Sequence, residues 1–105
     1  MIIGGVGLTV AYLVTRPRLS VSFTYSPANP RVGQRVDFYV SVALLGGVGP
    51  YTYYWYRDGV LGVSGLDLWT MGMIFDSPGI HSVGVKVTDS QGLSGSYTAW
   101  VTVSP

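Results

Sequence analysis

The feature that most constrains the fold is an alternation of apolar and polar residues that begins at Leu19 and recurs to the end of the chain. Successive side chains of a β-strand point to opposite faces, so this pattern predicts half-buried strands. Turn residues interrupt it about every ten positions. The predicted strands cover residues 19–25, 35–44, 51–57, 66–69, 71–75, 80–88 and 95–104, and no stretch after residue 18 is typical of a helix.

Seven short strands, each with one apolar face, predict an all-β sandwich of two antiparallel sheets, because facing sheets bury those faces against each other. The chain has 105 residues, the length of one domain. We expect residues 1–18 to form an apolar N-terminal arm with a short basic linker and residues 19–105 to form the sandwich. The predicted core consists of Val36, Phe38, Val40, Trp55, Val83, Val85, Val87, Val101 and Val103.

The motifs of residues 19–105 follow one another in the order of a known family. They are Gly47, the run Pro50-Tyr51-Thr52-Tyr53-Tyr54-Trp55, Asp58-Gly59, Ser77-Pro78-Gly79, the series Val83, Val85, Val87, Asp89 and Gly92, and the closing pair Val101 and Val103. Together they resemble the polycystic-kidney-disease (PKD) domain, an immunoglobulin-like β-sandwich. The resemblance implies an extracellular, non-catalytic module that serves surface proteins as a spacer, an adhesive unit or an assembly unit.

Composition excludes some functions. Charged residues make up 10% of the chain, against about 25% in an ordinary soluble domain, so we expect something other than water to cover part of the surface. The net charge is +1 and the chain has no long basic run, so the electrostatic footprint of a nucleic-acid-binding protein is missing. The absence of cysteine leaves neither a disulfide framework nor a thiolate metal site.

Few residues are of the types that carry catalysis. Glutamate is absent and His81 is the only histidine, so we predict no enzymatic activity, no cofactor and no metal site. His81 begins a core strand, where a hydrogen-bonded structural role is expected. Asp58 and Asp89 stand in turns, where local Asx hydrogen bonding accounts for an aspartate. Calcium coordination by these turn carboxylates is the alternative.

Four aromatic residues fall on the outward register of their strands: Tyr39, Tyr54, Tyr56 and Trp100. Exposed aromatic residues at this density suggest either anchors for lateral contacts or platforms on which sugars stack. The alternative is that they are scattered surface residues of the kind that β-sheets favour.

The first fourteen residues carry no charge. As a helix they would span about 21 Å, short of the roughly 30 Å hydrocarbon core, so we do not expect a simple membrane span. As a strand they could insert between strands of a neighbour by β-augmentation, whereas as a helix they would be apolar all round and need burial. The helical form resembles the arm of archaeal type IV pilins and archaellins. The predicted assembly residues are Ile2, Ile3, Val6, Leu8, Val10, Tyr12, Leu13 and Val14.

These observations lead to two functional hypotheses. The first is a structural subunit of an extracellular filament at the cell surface, a homopolymer in which each arm packs into neighbouring subunits, with membrane contact possible during assembly. The second is a surface adhesion module that binds carbohydrate or protein, with the arm as a membrane anchor. Glycan binding that Trp100→Ala or Tyr54→Ala abolishes would favour the second hypothesis.

Overall fold

The computed structural model describes residues 18–45 and 48–105, which fold into seven β-strands. The predicted assembly arm lies outside the described residues. No helix occurs in the described part of the chain. The strands are β1 (Arg18–Ser26), β2 (Arg35–Leu45), β3 (Thr52–Arg57), β4 (Val60–Leu66), β5 (Thr70–Ile74), β6 (Gly79–Thr88) and β7 (Ser94–Val103).

The strands form two antiparallel sheets. One sheet has three strands in the order β1-β2-β5, and the other has four in the order β4-β3-β6-β7. Strand β3 follows β2 in the chain but pairs in the opposite sheet, so the connection crosses the sandwich. The predicted fold class, an all-β two-sheet sandwich of seven strands, is confirmed.

The core lies between the sheets and is rich in aromatic rings. Trp55 is 1% exposed and Phe38 is fully buried, with their ring centroids 6.0 Å apart and that of Phe23 within 5.8 Å of Trp55. Eight of the nine predicted core residues are buried, while Val40 is partly buried and packs against the cluster. Each fully buried side chain of this size contributes about 1.5–3 kcal/mol through the hydrophobic effect. Phe75, which is fully buried, was missing from the predicted core.

The strand predicted at residues 66–69 was wrong. The structure has β4 at Val60–Leu66, directly after the turn at Asp58 and Gly59, whose φ angles are 50° and 80°. A two-residue turn with positive φ at both positions returns the chain at once into an antiparallel strand. No buried face reveals β4 in the sequence, because most of its residues are exposed and a bulge beside Trp55 and Tyr56 shifts its register.

Candidate binding site on the outer face of the four-stranded sheet

The four outward aromatic residues of the sequence prediction lie on two different faces. Tyr54 and Tyr56 of β3 and Trp100 of β7 share the outer face of the four-stranded sheet, because they alternate with the buried Trp55 and Val101. Trp100 is 69% exposed, while both tyrosines are half-buried.

Tyr39 belongs to the opposite face of the molecule. It stands on β2, on the outer side of the three-stranded sheet, where its ring centroid lies 6.5 Å from that of Trp69. The structure therefore brings together three of the four residues and separates Tyr39 from them. Their role as contacts remains a prediction.

A groove crosses the outer face of the four-stranded sheet. Tyr56 of β3, Gly84 of β6 and Thr98 of β7 stand side by side in the strand register, and the central glycine leaves a depression in this row. The groove has a volume of about 330 Å³, at the lower end of the range for small-ligand sites. Its lining residues are Tyr56, Gly59, Ser82, Gly84, Val85, Lys86, Ser96 and Thr98.

Gly84 keeps the groove open, as a comparison with Gly72 on the other sheet makes clear. A Cβ added to Gly84 would lie 3.1 Å from the Thr98 hydroxyl and 3.9 Å from the Tyr56 Cβ. A Cβ on Gly72 would lie 2.6 Å from the guanidinium of Arg35, whose Nε donates to Asp37 over 2.7 Å. The ion-paired Arg35 side chain occupies the space above Gly72, whereas Thr98 and Tyr56 border the space above Gly84, which lines the groove.

The chemistry of the groove suits an uncharged, hydroxyl-rich ligand. The lining includes the aromatic residue Tyr56 and three hydroxyl residues, Ser82, Ser96 and Thr98, whose hydroxyls can both donate and accept hydrogen bonds. Lys86 is the single charged residue among those that line it, and its Nζ lies 5.8 Å from the ring centroid of Tyr54. No carboxylate is among the described residues that line the groove.

His81 and Asp58 form hydrogen bonds next to Ser82, at one end of the groove. The Asp58 carboxylate accepts from the Ser82 backbone N–H over 3.1 Å and from His81 Nδ1 over 2.8 Å. The other ring nitrogen, Nε2, lies 2.9 Å from the Ser77 carbonyl oxygen. Since both nitrogens face acceptors, only the doubly protonated imidazolium can donate to both.

These contacts shift both pKa values. The hydrogen bond to Asp58, together with that to the Ser77 carbonyl, raises the pKa of His81 above 6.5. The same hydrogen bond from His81 lowers the pKa of Asp58 below 3.8. The predicted hydrogen-bonded role of His81 is confirmed. The prediction for Asp58 was wrong in detail, since its carboxylate bonds to strand β6 across the sheet and not within its own turn.

Asp89 makes the local turn predicted from the sequence. Its carboxylate accepts from the backbone N–H groups of Gln91 over 2.9 Å and Leu93 over 2.7 Å, and also from Val48 over 3.0 Å. Burial would raise the pKa of Asp89, but these backbone donors outweigh burial and lower it below 3.8. The Asx hydrogen bonding of Asp89 is therefore confirmed, and it explains this nearly buried carboxylate without an ion.

Two further properties concern residues 18–45 and 48–105 alone. Within these ranges, no three histidine or acidic side chains lie close enough together to hold a metal ion. The same ranges contain no helix with the length and apolarity needed to cross a bilayer.

Sequence reasoning identified Tyr56 but missed the rest of the groove, which depends on Gly84. A signal was present, since Gly84 stands between Ser82 and Lys86 on the outward register of a strand otherwise rich in β-branched residues. Glycine inside a strand often marks a position that something else approaches closely. Which residues border it could not be read from β6 alone, because Tyr56 and Thr98 come from other strands.

Fold and topology define an immunoglobulin-like β-sandwich of two sheets. No protein-family model matches the sequence, and no curated protein sequence matches it. Similar solved structures include a chain from a study of the promiscuous specificity of carbohydrate-binding modules of the β-sandwich superfamily, with 29% identity and a TM-score of 0.69. That similarity covers 83% of this chain and 34% of the other, so the present chain spans about a third of its length.

Two single domains are also similar. The CARDB domain of the PF1109 protein from Pyrococcus furiosus, solved in complex with di-metal ions, has 20% identity and a TM-score of 0.67 over 83% of this chain and 88% of that domain. The PKD domain of the human VPS10 domain-containing receptor SorCS2 has 25% identity and a TM-score of 0.64 over 83% of this chain and 72% of the other. The similar structures are thus binding or immunoglobulin-like modules.

Proposed function

We propose that this protein is a non-catalytic, extracellular binding module that takes a carbohydrate in the groove above Gly84. The observation that carries the proposal is the row of Tyr56, Gly84 and Thr98, in which an aromatic wall and a hydroxyl flank an open depression. A sugar ring has an apolar face of C–H groups and an edge of hydroxyls, and this row offers a partner for each.

The surroundings of the groove support the same class of ligand. Tyr54 and Trp100 extend the aromatic surface on either side, since Tyr54 is opposite Lys86 and Trp100 is opposite Ser82 in the strand register. A ligand longer than one sugar would therefore meet further rings along the same face. Lys86 adds a single positive charge, which is compatible with neutral glycans and could pair with an occasional uronic acid.

The similar structures support the proposal independently. One of them belongs to a study of carbohydrate-binding modules, and the similarity reaches 29% identity over 83% of this chain. The PKD resemblance supports the extracellular localisation and the absence of catalysis. Both likenesses support the proposal that this protein acts as an accessory or adhesive module at the cell surface.

Affinity electrophoresis of the full-length chain tests the proposal. Gels containing β-glucan, xylan, mannan, galactan or polygalacturonate should include one that retards the protein. Tyr56→Ala should weaken that retardation by about tenfold or more, because about 1.4 kcal/mol of stacking corresponds to a factor of ten. Tyr39→Ala is the matched control, since it removes a tyrosine ring that is 44% exposed from the opposite face of the molecule.

Two results would contradict the proposal. One is normal mobility in every gel while circular dichroism shows the folded sheet signal. The other is an equal loss for Tyr39→Ala and Tyr56→Ala, which would indicate non-specific adhesion to aromatic surface and not a site at the groove.

A second candidate is the filament subunit, polymerised through residues 1–14. The observation that favours it is the edge strand β4, which exposes large apolar side chains without a charge. Electron microscopy of the full-length chain beside a chain that begins at Leu19 tests it. We expect filaments from the first and monomers from the second, and monomers from both would overturn the filament proposal.

A further inference from the structure

Strand β4 differs from the other six strands in what its side chains do. Among the described residues it pairs only with β3, and none of its residues belongs to the core cluster or packs against it. Its large apolar side chains are nevertheless numerous and exposed: Val60 by 68%, Leu61 by 49%, Val63 by 40% and Leu66 by 59%. An apolar edge without charge or proline is a template for pairing with another strand.

The other three edges of the sandwich are less open. β1 and β7 lie against each other, with the rings of Phe23 and Tyr97 4.9 Å apart and the carbonyl of Leu19 beside Gly95. β5 has only five residues, and the guanidinium of Arg35 lies over its central glycine. β4, with seven residues, is therefore the edge best able to accept a strand.

We propose that β4 binds the apolar arm of a second copy of this chain, residues 1–14, as an added strand. This inference rests on the filament proposal and identifies the surface that would receive the arm. The occupant matches the site in length and chemistry, since fourteen uncharged residues are ample to cover the seven uncharged residues of β4.

The arm also has the sequence pattern that strand addition requires. Large residues at Val6, Leu8 and Val10 alternate with smaller ones at Gly7 and Thr9. Backbone hydrogen bonds to the free edge would supply affinity, and the large side chains of one face would cover exposed side chains of β4.

Geometry favours a second copy over the arm's own sandwich. The chain enters the sandwich at Leu19, next to Gly95 of β7, while β4 is at the other edge of the four-stranded sheet. Three strand spacings separate β7 from β4, about 14 Å, whereas the linker 15–17 spans about 10 Å at most. An arm that paired with its own β4 would use part of its length to cross this distance, whereas the whole arm is available for pairing with a second copy. Contacts between opposite edges of successive copies are heterologous and build an open fibre when the rotation between copies does not close into a ring.

Cysteine cross-linking tests the inference directly, because the natural chain contains no cysteine. One population carries Val10→Cys, or Thr9→Cys for the other face of the arm, and a second carries Ser64→Cys on β4. Mild oxidation of the mixed full-length chains should give a disulfide-linked dimer that joins the arm to β4, identified by mass spectrometry of the linked peptides. The matched controls are Thr70→Cys on β5 and Ser96→Cys on β7, which should remain largely unlinked.

A second measurement uses assembly itself. Leu66→Lys places a charge at the exposed apolar edge and should reduce the polymer fraction in sedimentation by about tenfold, because edge lysines oppose strand pairing. Two results would overturn this inference and leave the filament proposal intact. One is that full-length chains assemble but cross-link through β5 or β7. The other is that the Leu66→Lys chain assembles normally. Monomeric full-length chains would overturn both. A Val10→Cys/Ser64→Cys chain that links only within itself would overturn the role of the second copy.

Discussion

The inner and outer faces of the four-stranded sheet are built from the same strands, yet they serve different purposes. On β3, Tyr53 and Trp55 point inward and are buried, while Tyr54 and Tyr56 point outward and are half-buried. On β6, valines occupy the inward positions, while Gly84 and Lys86 occupy the outward ones. A single step along the strand separates a residue that stabilises the fold from one that borders the groove.

The comparison teaches that aromatic content alone does not tell core from site. Trp55 is held by packing and by its indole N–H, which donates to the Leu68 carbonyl over 2.8 Å. Tyr56 is the next residue along the same strand, but it points to the outer face and borders the depression at Gly84. Changes on the inner face should therefore act on stability, and changes on the outer face should act on binding.

The largest expected effect is that of Trp55→Ala. Removing this buried ring should lower the free energy of unfolding by about 3–5 kcal/mol, through lost burial and the cavity left behind. Tyr56→Ala should lower it by less than about 1 kcal/mol, because its ring is only half-buried. Urea unfolding followed by circular dichroism measures both, and equal losses for the two variants would contradict the division between the faces.

Asp58→Asn should have an intermediate effect that depends on pH. The pKa of His81 is raised, so its contribution to stability is complete below pH 6.5 and is lost as the pH rises through the higher folded value. The pKa of Asp58 is lowered, so its contribution is present above 3.8 and is lost as the pH falls through the lower folded value. Because the Asp58 side chain is 49% exposed, water screens the pair and keeps the effect below that of Trp55→Ala.

Thermal unfolding across the pH range checks this prediction. The difference in Tm between the natural chain and Asp58→Asn should be larger near about pH 6 than near about pH 9. Asp37→Asn, which breaks the exposed pair with Arg35, serves as the control and should show no such trend between these values. A difference that grows with pH would mean that His81 is neutral in the folded protein.

Gly84→Ala should change stability little while it changes binding. The added Cβ requires only a small shift of the Thr98 hydroxyl. Alanine also reduces the conformational entropy of the unfolded chain, which offsets the cost of that shift. We therefore expect the free energy of unfolding to change by no more than about 0.5 kcal/mol. The same methyl group narrows the groove and should weaken the binding of any polysaccharide that retards the natural chain. Gly72→Ala is the matched control, because it displaces Arg35 on the opposite face and should leave binding unchanged. A comparable loss of binding for both variants would place the ligand elsewhere.

The smallest effect on stability is expected at the edge strand. Val63→Thr should change the free energy of unfolding by less than about 0.5 kcal/mol, since β4 contributes nothing to the core. Val83→Thr is the matched control at a fully buried position, where an unpaired hydroxyl should cost about 1–3 kcal/mol. A loss at Val63 as large as that at Val83 would show that β4 is needed for the fold, which would weaken its assignment as a docking edge.

Several elements of the fold were predictable from particular residues. The valine series of β6 and the turn at Asp89 both depend on neighbours close in sequence, so the pattern identified them. β4 was misplaced because its side chains are exposed and the periodic signal that burial imposes is missing. The partner of His81 is Asp58, 23 positions away, and no local pattern reports such a pair.

By itself, the sequence determined the class of fold and the inward positions of most strands, since a period of two and regularly spaced turns suffice for both. Only the tertiary structure decided which outward residues act together. Tyr56, Gly84 and Thr98 come from three strands, and their alignment depends on the register of hydrogen bonds between those strands. Register is a relation between distant segments, set when the sheets pack and the inner faces are buried, so the groove exists only in the folded protein.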